Sequence, residues 1–469
     1  MKARIAGVAL AAVVLAGCGS AGGGSAADPA GLVPQDALAY VTVDTDLGSG
    51  QLKSAQSVLD KFPFKDSVLQ AIRSSIASGG VNVRAVKSSI GPEVDVAAVS
   101  ADSNVGAVGF TQPKDEKAFD AQLDAHKLIH TTMSGWTVFS DKQAYIDAVK
   151  SRKSNLSDDE AYKTAGQTIP SSGDAIVRVY AAPLGIRAAM KAATARAAGA
   201  GATAGQAFDS FSGAKWVAAA LTSASGGLKF ELHASTSQIG GALGTDLAGQ
   251  IPSGSIVALS LTNGGTTFPS SAQQQLGSIS KSLGFDLQAL VGVLDGPLIA
   301  YVRAGLPVPE VTLASRPKDP ARVQKAIGQL IRKFARTGVT PVPTAVDGGT
   351  LNKVDLGSVA LYYGVNGDEL VVTDSANALA ELKGSVGHLV DDSIFKDAKA
   401  AGGMPDGEQG FLFLNVKDAL PAVSGFAQLA NQTIPAGLEA DLKPLRSLLV
   451  YGSREGNVQT VVAALKTND

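Results

Sequence analysis

The sequence predicts an α+β fold built from two tandem related lobes, each a mainly antiparallel sheet with packed helices. Short apolar runs occur in hairpin-like pairs, helical segments lie between them, and blocks of sequence recur in the same order in the two halves. Short strands in hairpins mixed with helices are typical of α+β domains. With 469 residues and 45% apolar side chains, the chain is long enough to bury substantial cores.

Five blocks of the first half recur in the second half, and this recurrence indicates an internal duplication. The first copies begin at Gly91, Gln112, Val138, Leu156 and Ile169, and the second copies at Gly296, Arg316, Val371, Leu389 and Met404. The offset rises from 204 or 205 residues in the early blocks to 233 or 235 in the later ones. We therefore expect repeats over 33–245 and 246–469, with an insertion near 331–358 in the second.

Each copy begins with the same series of elements. Strands are predicted at 39–43 and 256–261, followed by helices over 51–61 and 66–77 in the first copy and 270–283 and 286–294 in the second. Strands at 94–99 and 298–302 come next. A helix then begins after Asp115 or Asp319, because a short acidic side chain can accept hydrogen bonds from the free N–H groups of the first turn.

Each copy ends in β-hairpins. Asn366-Gly367 separates two apolar runs and has the composition of a primed hairpin turn, and Ser134-Gly135 stands at the same place in the first copy. The closing strand pairs are predicted at 216–221 with 228–232, and at 448–451 with 458–462.

The N-terminal segment 1–17 is predicted to be an export signal. Lys2 and Arg4 precede the apolar run 5–15, which is too short to span a bilayer because a spanning helix needs about 20 residues. The run ends in Leu15-Ala16-Gly17-Cys18, which resembles the bacterial lipobox. That resemblance implies lipidation of Cys18 and cleavage before it, so the membrane is a predicted partner. Residues 18–32 are rich in Gly, Ser and Ala, and we expect a flexible tether there.

The stretch Leu32 to Asp44, read as LVPQDALAYVTVD, resembles the bacterial envelope family called domain of unknown function 3352. The resemblance extends to the α+β body behind it and covers most of 33–467. It implies an extracytoplasmic location, on a lipid-anchored protein of the cell membrane. It implies no activity and no catalytic residue.

Composition excludes several classes of function. The formal net charge of -2 argues against nucleic-acid binding, because there is no basic excess to neutralise phosphates. Cys18 is the only cysteine, so intrachain disulfides and cysteine-based zinc sites are excluded. Nucleophile-elbow and Walker A motifs do not occur in the sequence. We predict no catalytic, cofactor-binding or metal-ligating residues, although a triad assembled from distant segments stays open.

The histidines and paired carboxylates are the residues most suggestive of chemistry. His126 and His130 have the spacing of two ligands on one helix face, but the duplication places them on different elements. His233 and His388 have no acidic cluster near them in sequence and stay unassigned. The pairs Asp158-Asp159 and Asp391-Asp392 each precede a predicted helix, so we interpret them as caps rather than as an acid/base system. Asp141 and Asp374 receive the same interpretation.

Two further segments have a structural and a functional interpretation. Asp44-Thr45-Asp46 resembles the start of a calcium loop, but position twelve is Ala55 rather than Glu, and a turn before a helix is favoured. The Ala-rich stretch 186–208 carries few basic residues and is interrupted by glycines, so an internal helix is favoured over a membrane-surface helix.

These observations predict a lipid-anchored extracytoplasmic envelope protein that is a non-enzymatic binding or scaffold protein. A small ligand or an envelope protein is expected to bind between the lobes, because grooves between domains commonly form ligand sites. An extracytoplasmic hydrolase and a solute-binding lipoprotein are the alternatives.

Overall fold

The fold is seen in a computed structural model, which describes residues 28–67, 69–70, 89–102, 104–189, 213–224, 226–236, 244–262, 296–305, 309–334, 340–355, 360–407, 410–429 and 436–468. We call residues 28–236 the first half and residues 244–468 the second half. Cys18, the signal segment and most of the tether lie outside the described residues, as do the helices predicted over 270–283 and 286–294.

Short strands dominate both halves. The first half contains β1 (Ala39–Asp44), β2 (Glu93–Ala101), β3 (Asn104–Thr111), β4 (Ile129–Met133), β5 (Trp136–Ser140), β6 (Val177–Ala181), β7 (Val217–Ala224) and β8 (Gly227–Ser235). The second half contains β9 (Ser255–Leu261), β10 (Leu298–Arg303), β11 (Glu310–Ser315), β12 (Val342–Val346), β13 (Gly349–Asp355), β14 (Ala360–Asn366), β15 (Glu369–Thr373), β16 (Gly410–Asn415), β17 (Leu445–Glu455) and β18 (Val458–Thr467).

Helices connect these strands. They are α1 (Gly50–Leu59), α2 (Glu116–Ala125), α3 (Gln143–Lys150), α4 (Glu160–Gly166), α5 (Pro320–Phe334), α6 (Ala378–Leu382), α7 (Ser393–Gly402), α8 (Val416–Leu429) and α9 (Ala436–Leu442). Asp115 and Asp319 cap α2 and α5 as predicted, since they accept from the backbone N–H groups of Ala118 and Arg322. The prediction of an α+β fold with antiparallel pairing is confirmed.

The described strands form one sheet of 18 strands rather than a separate sheet in each half. Its spatial order is β4-β5-β3-β2-β1-β6-β7-β8 in the first half, continuing through β18-β17-β16-β9-β10-β11-β15-β14-β13-β12, and every neighbouring pair is antiparallel. The halves join where β8 pairs with β18, from Ser235 opposite Val458 to Gly227 opposite Lys466. The prediction of two separate sheets is therefore wrong, because the closing strands of the two halves bond to each other.

Counted outward from the β8–β18 junction, the strands of the two halves follow the same order. The partner series β7, β6, β1, β2, β3, β5, β4 in the first half is matched by β17, β16, β9, β10, β11, β15, β14 in the second. The hairpin β12–β13 extends the edge beyond β14 and has no counterpart beside β4 in the described residues. This hairpin lies within the predicted insertion 331–358.

The two faces of the sheet differ in what covers them. We call the side that carries Tyr40 and Phe411 the core face, where α3 and α4 pack in the first half and α6 and α7 in the second. We call the opposite side, which carries Phe230 and Leu412, the apolar face. There α2 packs against Val94 and Phe139, and α5 packs against Leu298 and Val372. The two principal cores thus lie on one face, joined side by side at the β8–β18 junction.

The packed chain begins earlier than the sequence predicts. Pro29–Gly31 forms a 3-10 helix capped by Asp28, and Ala30 and Leu32 are buried in the first-half core. Residues 28–32 therefore belong to the fold rather than to the predicted tether. Within the described ranges, no helix has the length and apolar character needed to cross a membrane.

The hairpin turns agree with the prediction in the first half and shift by one residue in the second. Ser134 and Gly135 both adopt positive φ between β4 and β5, which the right-handed twist of the strands favours. In the second half Asn366 pairs with Glu369, so the loop consists of Gly367 and Asp368 rather than of Asn366 and Gly367.

Candidate functional site

The structure separates the two histidines whose spacing suggested a metal site. His126 ends helix α2 as its C-terminal cap, whereas His130 lies on strand β4. The imidazole of His130 lies 3.2 Å from Asp124 and 3.4 Å from Asp120, so it pairs with the neighbouring helix. Across the described residues, no cluster of three or more His, Cys, Asp or Glu side chains has the arrangement of a metal site.

One carboxylate of each acidic pair caps a helix. Asp159 accepts a hydrogen bond of 2.8 Å from the backbone N–H of Tyr162 at the start of α4. Asp392 accepts from the backbone N–H groups of Ile394 and Phe395 at the start of α7. The capping interpretation is confirmed for these two residues, whereas Asp158 accepts from the Asn155 side chain and Asp391 pairs with Lys396.

The same interpretation is wrong for Asp141 and Asp374. Lys142 occupies the N-cap position of α3, so Asp141 lies one residue too early to cap that helix. Asp374 accepts from the backbone N–H of Val311 on strand β11, because the next helix begins only at Ala378. Asp374 therefore holds β11 by a hydrogen bond to its backbone and does not cap a helix.

The acidic turn after β1 binds its own backbone. Asp44 accepts from the N–H of Asp46, Asp46 accepts from the N–H of Gly48, and Ser49 caps α1 by accepting from Leu52. This is the turn before a helix that the sequence favoured. The segment 190–208 of the Ala-rich stretch lies outside the described residues.

A buried acidic cluster lies on the core face of the first half. Asp95 is 0% exposed, and its Oδ1 accepts a hydrogen bond of 2.9 Å from the Tyr40 hydroxyl. Its Oδ2 is buried with no hydrogen-bond partner among the described residues. Burial and the neighbouring Glu93 carboxylate raise the pKa of Asp95, and burial raises the pKa of Glu93 as well. The cluster thus favours protonated carboxyl groups.

A small cavity adjoins this cluster. Tyr40, Thr42, Tyr162, Arg178 and Tyr180 contribute to its walls. The rings of Tyr162 and Tyr180 meet edge to face at 5.2 Å, and burial raises the pKa of Tyr180 to about 12, with a smaller contribution from Asp159. The cavity volume is about 20 Å³, which accommodates about one water molecule rather than a substrate.

A second polar cluster lies on the core face at the junction of the halves. His233 Nδ1 lies 3.0 Å from the Thr460 hydroxyl across the β8–β18 pairing, and His233 Nε2 lies 3.6 Å from Glu231. Lys229 lies 3.3 Å from the same Glu231 oxygen. Burial opposes ionisation of Glu231, but the hydrogen bond with His233 and the charge of Lys229 together lower its pKa. The ionised carboxylate of Glu231 therefore holds Lys229 and His233 together at the junction of the two halves.

The largest feature of the junction is on the apolar face. Two adjacent rows of residues, aligned by strand register, cross the sheet from β7 or β8 to β11, and every member of both rows is apolar. The first row is Leu221, Phe230, Ala463, Val450, Leu412, Leu259, Ala300 and Leu313; the second is Leu228, Leu465, Leu448, Leu414, Val257, Val302 and Val311. We call these two rows the apolar patch.

The apolar patch is partly exposed, in contrast to the opposite face of the same strands. Phe230 is 43% exposed and Leu412 is 41% exposed, while Phe413 and Leu449, which alternate with the patch residues, are fully buried. Antiparallel sheets with one solvated face normally alternate apolar with polar residues. Around Phe413 and Leu449, β16 and β17 are apolar on both faces, whereas the core face of β8 carries the polar cluster of Glu231. A contiguous exposed apolar surface of this kind indicates an interaction site.

One end of the apolar patch carries a cation. Arg454 and Gln459 lie opposite each other on β17 and β18, and an Arg454 N–H donates to Gln459 Oε1 at 3.4 Å. Between Arg454 and the patch, Gly452 of β17 pairs with Gly410 of β16 and with Val461 of β18. Gly410 is buried, whereas Gly452 keeps part of its surface exposed.

Sequence reasoning did not find the apolar patch. The run of apolar residues in each strand is visible in the sequence, but packing on the core face explains only every second residue of the run. What places Phe230 beside Ala463 is the pairing of β8 with β18, which joins segments about half the chain apart. Val450 lies beside Leu412 because β16 pairs with β17, which follows it much more closely in sequence. The signal that was available was the unbroken apolar runs 411–414 and 448–451 in β16 and β17.

The comparisons with known proteins do not identify the chain. No protein-family model matches it, and no curated protein matches it. A solved structure titled "Structure of crystal form III of TP0453" is similar at 11% sequence identity, covering 77% of this chain and 99% of that chain, with a TM-score of 0.16. A likeness at that score carries no argument about fold or function.

Proposed function

We propose that the protein is a lipid-anchored extracytoplasmic envelope protein that binds an apolar ligand where its two halves meet. The observation that carries this proposal is the apolar patch, which crosses the β8–β18 junction with its side chains partly exposed. The lipobox at Cys18 and the resemblance to domain of unknown function 3352 support the location. A binding site between the halves is also what the repeated sequence predicts.

A non-enzymatic role is supported by how the chemically suggestive residues are used. His126 and His130 lie on different elements, and Asp159 and Asp392 bind backbone N–H groups. Asp95 lies beside a cavity of about 20 Å³, which is too small for a substrate. None of these groups converges with a nucleophile in the described residues.

We also propose that the two halves arose by internal duplication. Support comes from the common strand order and from the register within it. Thr42 pairs with Asp95 on one side and with Arg178 on the other, and Ser260 stands in the same relation to Ile299 and Phe411. The same offset of 204 residues relates Asp95 to Ile299 and Thr111 to Ser315. The Thr111 hydroxyl donates to the carbonyl of Glu93, and the Ser315 hydroxyl donates to the carbonyl of Pro297, which is also 204 residues further along.

The anchor is tested with Cys18→Ala, compared with the wild type and with Ser20→Ala as a matched change in the same tether. We expect the wild type and Ser20→Ala to fractionate with membranes, and Cys18→Ala to be released or to persist as an unprocessed precursor. If Cys18→Ala partitions and migrates as the wild type does, the lipid-anchored location is wrong.

The binding role is tested on the native, untagged protein by mass spectrometry of small molecules that co-purify with it. We expect an apolar ligand in reproducible stoichiometry from the wild type. Leu412→Glu should reduce its amount, because a carboxylate in the middle of the apolar patch disfavours contact with hydrocarbon. Val105→Glu is the matched control, since Val105 is 57% exposed and lies outside the patch. Equal ligand content in all three proteins, or none in the wild type, would contradict the proposal.

A further inference from the structure

We infer that the ligand of this protein is a lipid whose acyl chain lies along β17 and β18 and whose anionic headgroup is bound by Arg454. This inference rests on the proposed function and specifies the chemical class of the ligand. We call the binding path the central lane. It comprises the apolar-face positions of β17 and β18 between the pair Leu448–Leu465 and the pair Arg454–Gln459.

The floor of the central lane fits hydrocarbon. Val450 and Ala463 lie opposite each other in its middle, with Leu412 on one side and Phe230 on the other. These four side chains cannot form hydrogen bonds, and all of them keep part of their surface exposed. Covering them with an acyl chain stabilises the complex by about 25 cal/mol for each Å² of apolar area removed from water.

The length of the central lane fits an acyl chain as well. Six residues separate Leu448 from Arg454, which corresponds to about 20 Å at roughly 3.3 Å per residue of strand. The acyl chains of one membrane leaflet span about 15 Å, half of the hydrocarbon core. An extended chain that begins near Arg454 therefore ends close to Leu448 and Leu465, where the second row of the apolar patch crosses the lane.

Arg454 supplies charge complementarity at one end of the lane. Arg303, Arg316 and Arg446 each pair with a carboxylate, whereas Arg454 donates to the neutral amide oxygen of Gln459. A guanidinium is well suited to two parallel hydrogen bonds with a carboxylate or phosphate, so an anionic headgroup fits this end.

The two ends of the central lane differ in the cation they offer. At one end Arg454 has only the neutral Gln459 as its side-chain partner. At the other end the ammonium group of Lys61 already donates to the Thr467 hydroxyl and the Asn468 carbonyl. The headgroup is therefore assigned to the Arg454 end.

The acyl site is tested by titrating parinaric acid, a fluorescent fatty acid, into purified Cys18→Ala protein, which lacks the anchor. We expect saturable binding that palmitate displaces. Leu412→Glu and Phe230→Gln should each weaken binding at least tenfold, and Val105→Glu should leave it unchanged. Because Leu412 and Phe230 are both about two-fifths exposed, folding is expected to survive, and circular dichroism checks that it does.

The headgroup contact is tested by comparing palmitate with the neutral alcohol of the same chain length as competitors. Wild-type protein should prefer palmitate, and Arg454→Gln should lose about tenfold in affinity for palmitate while its affinity for the alcohol stays the same. Lys61→Gln is the charge-matched control and should keep the preference. Equal losses for both competitors, or the same effect in Lys61→Gln, would overturn the role of Arg454.

The outcomes separate the ligand class from the binding role. If parinaric acid does not bind while a non-acyl apolar molecule co-purifies, the acyl inference is wrong and the binding function stands. If wild-type protein binds neither and sedimentation shows a dimer that Leu412→Glu dissociates, the apolar patch is a surface for a second copy and both proposals are wrong. A free phosphate or carboxylate that binds at Arg454 without a chain also overturns the inference.

Discussion

The two halves of the sheet keep the same strand order but differ in what fills equivalent positions of the core face. In the first half, Asp95 and Arg178 flank Thr42 across three neighbouring strands. Asp95 is completely buried, and one of its oxygens has no partner among the described residues. Burying a polar group without a hydrogen bond costs about 1–3 kcal/mol. The unpaired oxygen of Asp95 therefore lowers the stability of the first half.

In the second half, the equivalent positions are apolar. Ile299 and Phe411 flank Ser260, and both belong to the large core that α6 and α7 cover. This core shows that the strand arrangement does not require buried charges. The difference teaches that the polar cluster of the first half is a property of that half and not of the fold, whereas the apolar patch crosses the junction and takes most of its residues from the second half.

The largest expected effect is on the packing of the second half. Phe413 is fully buried and contacts Phe395 edge to face at 5.1 Å. Phe413→Ala should lower the free energy of unfolding by about 3–5 kcal/mol, because the cavity cannot collapse in a close-packed core. The register-equivalent residue of the first half is Tyr180, which adjoins a cavity, so Tyr180→Ala should cost less. Urea unfolding measures both, and an equal or larger loss for Tyr180→Ala would show that the cores are packed alike.

The next effect concerns the buried carboxyl of Asp95. Burial and the Glu93 charge raise the pKa of Asp95 above its value in the unfolded chain. A raised pKa means that protonation favours the folded state, so the free energy of unfolding of the wild type falls as pH rises through the folded pKa. Asp95→Asn keeps an acceptor for the Tyr40 hydroxyl and cannot ionise. It should raise the free energy of unfolding by about 1–3 kcal/mol at neutral pH.

The control for this prediction is the pH series itself. Below the unfolded pKa of about 4 the wild type and Asp95→Asn should have similar stability, since both are then uncharged at this position. Thermal unfolding between pH 4 and pH 8 checks the difference. A constant difference over that range would mean that the effect comes from packing and not from ionisation.

Helix capping should contribute equally to the free energy of unfolding in the two halves. Asp159→Ala and Asp392→Ala each remove an acceptor for backbone N–H groups, at the start of α4 and α7 respectively. Each should lower the free energy of unfolding by about 0.5–2 kcal/mol. Asp141→Ala, which removes no cap, should change it by less than about 0.5 kcal/mol. A difference between the two caps larger than the loss from either one would show that the halves differ in local stability.

The smallest expected effect is at the junction. Burial raises the pKa of Glu231, but His233 and Lys229 together lower it below the ordinary value. Its contribution is therefore present above the unfolded pKa and is lost as pH falls through the folded pKa, opposite in sign to that of Asp95. Glu231→Gln should cost about 1 kcal/mol at neutral pH and less at pH 3. Chemical unfolding at both pH values tests this, and a larger loss at pH 3 would reverse the assignment.

The sequence predicted the elements that depend on local chemistry. The helix starts at Asp115, Asp159, Asp319 and Asp392 follow from short carboxylates that reach the free N–H groups of a first turn. The hairpin at Ser134 follows from residues that tolerate positive φ. The insertion near 331–358 rests on an offset between matched blocks and stays a prediction.

The sequence did not predict the features that depend on distant pairing. Both closing hairpins were predicted as separate units, yet β8 and β18 pair with each other along the edges that their hairpin partners leave free. Asp95 was not singled out, since nothing local distinguishes a buried carboxyl in a strand from an exposed one. Arg454 was not singled out for the same reason, because its place beside Gln459 depends on the pairing of β17 with β18.

The pairing of β8 with β18 has a consequence for how the chain acquires its structure. β8 ends at Ser235, and its partner begins at Val458, so more than 200 further residues must be synthesised before this edge is covered. Contacts between positions so distant in sequence form slowly. Until they form, the nascent first half presents an open strand edge that can pair with other chains. A chaperone that holds extended strands would act in that interval, and chains truncated before Val458 would be the most prone to aggregate.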